Sequence, residues 1–369
     1  MLLGLPAMRH LFHRLFAALA WCPAVLYAAV AALATVGAGG AEPAVRAPHV
    51  ALILPLSSPS FSRHADAVRL GFIAAARVAG RNAPTVRIYA ANEDSLNVLT
   101  VYEQAVESGA QLVVGPLTRN GVAALAASNL VTVPTLALNA LEPRSPQPAR
   151  LYSFGLGVEF ETRQIAQLAF NDGRRNAFVI GDDNALGKRM RQAFVEEFTR
   201  LGGAVVAEFG YGADAASLNR LRSASNLGVA DMAFLAFDHA HASQVRPYLG
   251  NALALYATSQ VNAGKGPLAV RELNQVRFVD MPWVLQADHP AVMVYPRQQF
   301  GDAIDFDRLY ALGIDAFRIG IELLRQNRDP ALDGVTGRIR LARDQQFVRE
   351  LTAAQFVDGK IVILGDLRQ

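Results

Sequence analysis

Polar residues follow several apolar, strand-like runs of this 369-residue chain. In "LVVGPLTRN", residues 112–120, an apolar run passes through Gly115 to Thr118 and leads into "GVAALAASNL", which predicts a helix. Similar runs are followed by Ser57 and Ser58, Asn139, Asp183, and Asp238. Ligands of doubly wound sheets meet the carboxyl ends of strands, so these side chains can hold a small molecule. The same residues also suit helix caps and turns, and both alternatives stay open.

Patterns that would indicate catalysis are missing from the sequence. His239 and His241 flank Ala240, but no third ligand has metal-site spacing, so a surface loop is favoured. The sequence holds no Gly-x-Ser-x-Gly elbow, no phosphate-binding loop with Lys and no His-Glu-x-x-His helix. Cys22, the single cysteine, falls in the N-terminal leader, which excludes thiol catalysis in the mature protein. We therefore predict a protein that is not an enzyme and uses no metal or cofactor.

The first 41 residues predict an export signal. Arg9 and Arg14 begin it, and an uncharged run then extends to Ala41, long enough to serve alternatively as an uncleaved membrane anchor. Acylation of Cys22 is disfavoured because Trp21, which is not small, precedes it. Without the leader the chain has 33 basic and 32 acidic residues, and this balance argues against nucleic-acid binding. The prediction is a periplasmic or envelope protein that meets the membrane only through its leader.

From residue 49 onward, strand-like and helix-like segments alternate. The strand-like runs are apolar on both faces, as parallel strands between helices must be, and they form two sets of four. Pro134 predicts that the fourth strand lies at an edge or begins there. Helices are predicted at 158–171, 184–201 and 303–325. "VRFVDMPWVL" predicts one strand, and the tail that follows residue 334 predicts short antiparallel strands.

This order predicts an α/β protein with two doubly wound parallel-sheet lobes joined by a multi-strand hinge. The first lobe takes 42–154, the second 155–280, the chain returns to the first over 281–340, and C-terminal strands near the hinge fill 341–369. A Pro- and Arg-rich crossing at 143–157 joins the lobes. Two loops, "PRSPQPAR" and "VMVYPRQQFG", have the Arg and Tyr content of protein interfaces. Trp283 is predicted to be buried near the hinge, although an exposed Trp would anchor a partner.

Several long segments resemble a known family. "VALILPLSS" and "LVVGPLTRN" are similar to type I periplasmic-binding proteins, whose lobes close like a Venus flytrap. "LYATSQVNAG", "VRFVDMPWVL", "LYALGIDAFRI" and "LDGVTGRIRLARDQQFVREL" resemble, in the same order, the LppC/LpoA family of penicillin-binding protein activators. The resemblance covers nearly all of residues 49–367. This sequence differs from the longer members of the family, in which a helical-repeat domain precedes the part that it resembles.

The resemblance implies a regulator that contacts a peptidoglycan synthase. It also implies an inter-lobe cleft in which Ser57, Ser58 and Thr118 would grip a carboxylate, with Gly115 and Asn139 beside them. Phe154 would stack on the ligand, and Asp183 or Asp238 would pair with an ammonium group. The alternative is a periplasmic receptor for a small amino-acid-like or cell-wall-derived solute.

Overall fold

The computed structural model describes residues 46–141, 147–212, 215–264, 271–301 and 303–365. The predictions for the leader, for Cys22 and for the first residues of the 143–157 crossing lie outside these ranges. Within them, the predicted α/β class with parallel, doubly wound sheets is confirmed. None of the described helices is long and apolar enough to cross a membrane.

The first sheet has five parallel strands in the order β2-β1-β3-β4-β5. The strands are β1 (His49–Leu54), β2 (Val86–Ala90), β3 (Ala110–Val114), β4 (Thr135–Ala137) and β5 (Leu151–Ser153). Helices α1 (Ser62–Ala79), α2 (Ser95–Glu107) and α3 (Arg119–Ala126) connect the first four. In this order the connections reverse direction between β1 and β3, so their carboxyl ends form the switch point.

The second sheet repeats that order and adds two antiparallel strands, giving β15-β14-β10-β9-β8-β6-β7. Its parallel strands are β6 (Asn176–Gly181), β7 (Ala204–Gly210), β8 (Met232–Ala236), β9 (Ala254–Ala257) and β10 (Val276–Asp280). The connecting helices are α4 (Val158–Asn171), which leads in from β5, then α5 (Ala185–Arg200), α6 (Ala215–Ser225) and α7 (His239–Val245). The second switch point therefore lies between β6 and β8.

The chain passes between the two sheets three times. It leaves β5 for α4, returns from β10 through short helices α8 (Pro282–Leu285) and α9 (Pro290–Met293), and continues into α10 (Ile304–Leu324). A third sheet follows, made of β11 (Ala331–Gly334), β12 (Gly337–Leu341) and β13 (Phe347–Glu350). The last crossing leads at Leu351 into β14 (Thr352–Val357) and β15 (Lys360–Ile363) of the second sheet. The antiparallel tail is confirmed; the predicted domain boundaries stay predictions.

Helix α10 packs against α1 at very short range. A Cβ atom on Gly313 would lie 2.0 Å from the carbonyl oxygen of Val68, and one on Gly71 would lie 1.9 Å from that of Tyr310. The two backbones can approach this closely only because both residues lack a side chain. This contact holds α10 on the first sheet's layer, although α10 follows the second sheet in the sequence.

Strand β4 begins directly after Pro134, as one of the two predicted alternatives has it, and it lies inside the first sheet. The Pro134 carbonyl accepts from Val113 N at 3.0 Å, so the missing N–H does not interrupt the sheet. Two details of the predicted strands were wrong. Each lobe has five parallel strands rather than four, because β5 and β10 complete them. "VRFVDMPWVL" is a strand followed by a short helix, since Pro282 occupies the first helical turn. The three predicted helices are confirmed as α4, α5 and α10.

Candidate functional site

A cavity of about 500 Å³ lies where loops of the first sheet face the second half of the chain. The first-sheet side supplies Leu117, Thr118 and Asn139, and Arg189 of α5 lies on the opposite side. Leu309 and Leu312 of α10 contribute apolar lining. Mostly apolar walls with a few polar groups are typical of small-molecule sites. Of the candidate residues, the structure brings Thr118 and Asn139 together at this cavity.

Thr118 and Asn139 both have structural hydrogen bonds. Thr118 Oγ1 accepts from Gly121 N at 3.3 Å and so caps α3, which confirms the predicted cap. Asn139 Nδ2 donates to Leu117 O at 2.9 Å and ties the end of β4 to the same loop. Gly115 has a φ of 113°, and a Cβ there would lie 2.0 Å from Ile53 O. The loop is thus shaped by its own backbone before any ligand is considered.

The remaining first-lobe candidates lie apart from the cavity lining. Ser58 is buried, and its Oγ accepts from Phe61 N at 3.1 Å at the start of α1, whereas Ser57 is exposed. Phe154 is 1% exposed and belongs to the main apolar core, where its ring packs with core side chains. A role for Phe154 in stacking on a ligand would need the core to open.

The second-lobe acids are engaged at the second switch point. Asp183 receives a 2.7 Å hydrogen bond from Arg191, and Asp238 caps α7 by accepting from His241 N at 2.9 Å. The His241 ring bonds Asp182 at 3.0 Å, while His239 is buried and its Nδ1 bonds Val261 O. Among the described residues, no group of three His, Cys, Asp or Glu side chains is arranged to hold a metal ion. Neither Asp183 nor Asp238 lines the inter-lobe cavity.

An ionic bridge that the sequence analysis missed lies across this cavity. Glu159 of α4 accepts from Arg189 of α5 at 2.6 Å and from Arg119 of α3 at 3.3 Å. Arg119 belongs to the first sheet's layer and Glu159 to the second, so the bridge joins the two. Burial alone would raise the pKa of Glu159, but the Arg189 hydrogen bond and the two Arg charges outweigh it and hold that pKa below its usual value.

A buried network, defined here as Glu161, Ser259, Asp280, Arg308 and Arg349, connects all three sheets. Arg308 of α10 donates to both carboxylate oxygens of Asp280, at 3.2 and 2.7 Å, and to Ser259 O at 3.0 Å. Ser259 Oγ donates to Glu161 at 2.7 Å, and the Arg349 guanidinium lies 3.7 Å from the same carboxylate. Burial raises the pKa of Glu161 despite the opposing charge of Arg349. Each charge of the network thus has an opposite charge beside it.

The third sheet is tied to α10 by a further buried acid, Asp315. Asp315 is fully buried, and its carboxylate accepts from Thr336 N and Oγ1, both at 2.7 Å, and from Val335 N at 3.2 Å. At the last crossing, Gln164 of α4 exchanges two hydrogen bonds with the backbone of Leu351, at 2.8 and 2.9 Å. These contacts fix the last crossing of the chain from both sides.

Trp283 is buried, as predicted, and the loop beyond it is exposed. Its ring packs 5.3 Å from Tyr310 and 4.0 Å from the Arg297 guanidinium. In "VMVYPRQQFG", Met293 and Val294 are 69% and 54% exposed. Neighbouring large apolar side chains with such exposure are typical of surfaces that contact another protein.

Comparison with protein families finds a match to the model of a family described as LppC putative lipoprotein, over residues 43–227 and 211–359. The penicillin-binding protein activator LpoA of Pantoea ananatis is 29% identical over 324 residues, which cover 75% of this chain and 47% of that protein. LpoA of Haemophilus influenzae is 28% identical, with 85% and 54% covered. The chain spans about half the length of the curated relatives it matches.

Solved structures resemble the chain over most of its length. The C-domain of H. influenzae LpoA, described as a regulator of PBP1A, has a TM-score of 0.73 and 26% identity, with 86% of this chain and 100% of the domain covered. A putative branched-chain amino acid ABC transporter from Chromobacterium violaceum has a TM-score of 0.71 and 38% identity, with 84% and 100% covered. The segments quoted above for the LppC/LpoA resemblance supply Ser259, Asp280, Asp315 and Arg349, all of them interior residues, and Arg308 directly precedes the third segment.

Proposed function

Since the chain belongs to the LppC putative lipoprotein family, we propose that it is an exported, non-catalytic regulator that stimulates a peptidoglycan synthase by contact. The observation that carries this proposal is the likeness to the whole C-domain of H. influenzae LpoA, a regulator of PBP1A. The partner is then a synthase of the penicillin-binding protein class. The family's description as lipoprotein and the leader, in which an uncharged apolar run follows Arg9 and Arg14, support a place in the periplasm, at the cell envelope.

The distribution of buried polar residues supports a regulatory role over a catalytic one. Buried ionisable groups are common in catalytic sites, and Glu161, Asp280 and Arg308 are of this kind. Asp280 and Arg308 form an ion pair, Glu161 accepts from Ser259 with the Arg349 guanidinium 3.7 Å away, and none of the three lines the inter-lobe cavity. These groups therefore stabilise the packing of the sheets, as expected of a protein that acts through contact with a partner.

We place the synthase contact on the exposed C-terminal end of α9, at Met293 and Val294. The test replaces both residues with Ser and measures stimulation of a purified penicillin-binding protein synthase. The matched control is Leu227→Ser with Val229→Ser, a pair that is 71% and 48% exposed on the second half of the chain. We expect the Met293/Val294 variant to lose most of the stimulation while both variants keep their melting temperature. Full stimulation by the Met293/Val294 variant would place the contact elsewhere, and wild-type protein that stimulates no synthase would refute the function.

A second candidate function is a receptor for a small solute. The inter-lobe cavity favours it, as does the likeness to the putative branched-chain amino acid transporter of C. violaceum. A receptor should gain thermal stability in proportion to the logarithm of ligand concentration once its site is saturated. Melting curves with branched-chain amino acids and with muropeptides separate the two functions, because the regulator is expected to show no shift with the amino acids.

A further inference from the structure

We propose that a row of aromatic rings beside the cleft binds a saccharide chain. The aromatic row consists of Phe61, His64, Phe306 and Phe300. Neighbouring ring centroids lie 6.4 Å apart for Phe61 and His64, 5.2 Å for His64 and Phe306, and 5.9 Å for Phe306 and Phe300. Phe61 is 42% exposed and His64 is also exposed, whereas the rings of the protein core are covered.

The aromatic row joins two cavities. Phe61 and His64 line the inter-lobe cavity, while Phe300 and Phe306 line a second, open cavity of about 530 Å³ beside the start of α1. Because His64 and Phe306 are neighbours, a ligand can follow the rings from one cavity to the other without leaving an aromatic surface. Such a continuous surface suits a linear molecule with repeated units better than one compact solute.

The polar groups of the second cavity match sugar hydroxyls. Ser62, Arg63, Asp66 and Gln299 supply a hydroxyl, a guanidinium, a carboxylate and a carboxamide around Phe300 and Phe306. A sugar hydroxyl both donates and accepts, so it can use this mixture, and planar side chains can bind two adjacent hydroxyls at once. The apolar faces of sugar rings, which carry C–H groups, stack on aromatic rings. The Asp66 carboxylate also pairs with Arg69 at 2.7 Å, which holds it in place beside the cavity.

The identity of the saccharide follows from chemistry and context. An amino-sugar glycan offers ring faces, hydroxyls and acetamido groups in a repeating chain, and these are the features that the row and its polar neighbours recognise. That this glycan is the strand of the cell wall rests on the proposed function, whereas the site itself does not. A regulator that holds the strand and contacts the synthase would act where new strand is made.

The experiment titrates an N-acetylglucosamine tetramer into the full chain and follows binding by calorimetry. The variants Phe306→Leu and Phe61→Ala each remove one ring, and Leu96→Ala, at a site 74% exposed on α2, is the control. We expect the wild type and Leu96→Ala to bind equally and each ring variant to bind about tenfold more weakly, a change of about 1.4 kcal/mol. Melting curves check that each variant is folded. If Phe306→Leu is not, the alternative is Arg63→Ala, at an exposed residue whose guanidinium lies 5.2 Å from the Phe306 ring centroid.

Three results would overturn the proposal. They are absence of tetramer binding by the wild type, equal binding by all variants, and a loss of synthase stimulation in the ring variants with tetramer binding intact. The last would mean that the aromatic row is a protein contact. The proposed function is separable, because the Met293/Val294 variant should bind the tetramer normally whether or not any synthase responds.

Discussion

At the scale of single residues, the buried charges of this protein act as connectors between elements. Burial alone would lower the pKa of Arg308, but the charge and hydrogen bonds of Asp280 outweigh it and raise that pKa, so the guanidinium keeps its proton. Arg308 lies on α10 and Asp280 at the end of β10. The pair therefore fixes the helix of one layer to a strand of the other. This link requires both Arg308 and Asp280.

The first prediction removes one partner of that pair. Asp280→Ala leaves the Arg308 charge buried with only Asp305 and backbone carbonyls, and loss of one partner of a buried pair costs about 3–5 kcal/mol. Denaturant unfolding measures the loss. Glu322→Ala breaks the pair with Arg325, 2.9 Å apart, in which the Arg325 side chain is 67% exposed, and should cost about 0–1 kcal/mol. Equal losses for the two variants would show that Asp280 is not part of a connecting network.

Residue type and position predicted the caps well and the ligand contacts poorly. Thr118 and Asp238 cap α3 and α7 because a cap depends only on the chain within three residues. The burial of Phe154 depends on the partner layers that cover β5, and no local pattern reports them. The Arg119–Glu159–Arg189 bridge joins residues 40 and 30 positions apart, so only the fold brings them together.

At the scale of elements, the contact between α1 and α10 sets the shape of the first layer. Gly313→Ala would place a methyl group 2.0 Å from Val68 O, and backbone cannot move aside as a side chain can. Overpacking of this kind costs about 1–3 kcal/mol. Gly320→Ala is the control on the same helix, since its methyl would meet only the Leu112 and Val114 side chains, the nearer at 2.9 Å.

We expect urea unfolding to show a clear loss for Gly313→Ala and a much smaller change for Gly320→Ala, in which the gain in helix propensity of about 1 kcal/mol offsets the contact. If Gly313→Ala were as stable as the wild type, the close helix approach would be absent in solution.

Elements with strong periodicity were predictable, and short ones were not. Helices α4, α5 and α10 repeat apolar residues every three or four positions over 14 to 21 residues, so their bounds were predicted within one residue. Strand β5 has three residues within a Pro-rich crossing and gives no periodic signal. The third sheet was predicted as antiparallel strands, but its separation from the second sheet depends on the hydrogen bonds of Asp315 with Val335 and Thr336.

At the scale of the whole molecule, two kinds of link join the layers. The buried network is shielded from water and the Gln164–Leu351 hydrogen bonds are partly buried, while the Glu159 bridge is open to water, with Arg119 45% exposed. A shielded link is little weakened by salt or by solvent competition, and an open one is weakened by both. The interior therefore sets the position of the layers, and the bridge adjusts it only slightly.

The last prediction uses pH to test whether the Glu159 bridge stabilises the layers less than the buried network does. The pKa of Glu159 is below its usual value in the folded protein. The stability that ionised Glu159 contributes is therefore fully present above the unfolded pKa of about 4.3, and it is lost as pH falls through the folded pKa. Glu159→Gln should therefore be less stable than the wild type by about 0–1 kcal/mol at pH 7, and the difference should vanish in acid. Glu103→Gln, on the exposed face of α2, controls for the change in charge. Small-angle scattering at pH 7 should give the same radius of gyration for both variants and the wild type, because the buried network is intact in all three. Expansion of Glu159→Gln alone would mean that the open bridge, rather than the interior, holds the layers together.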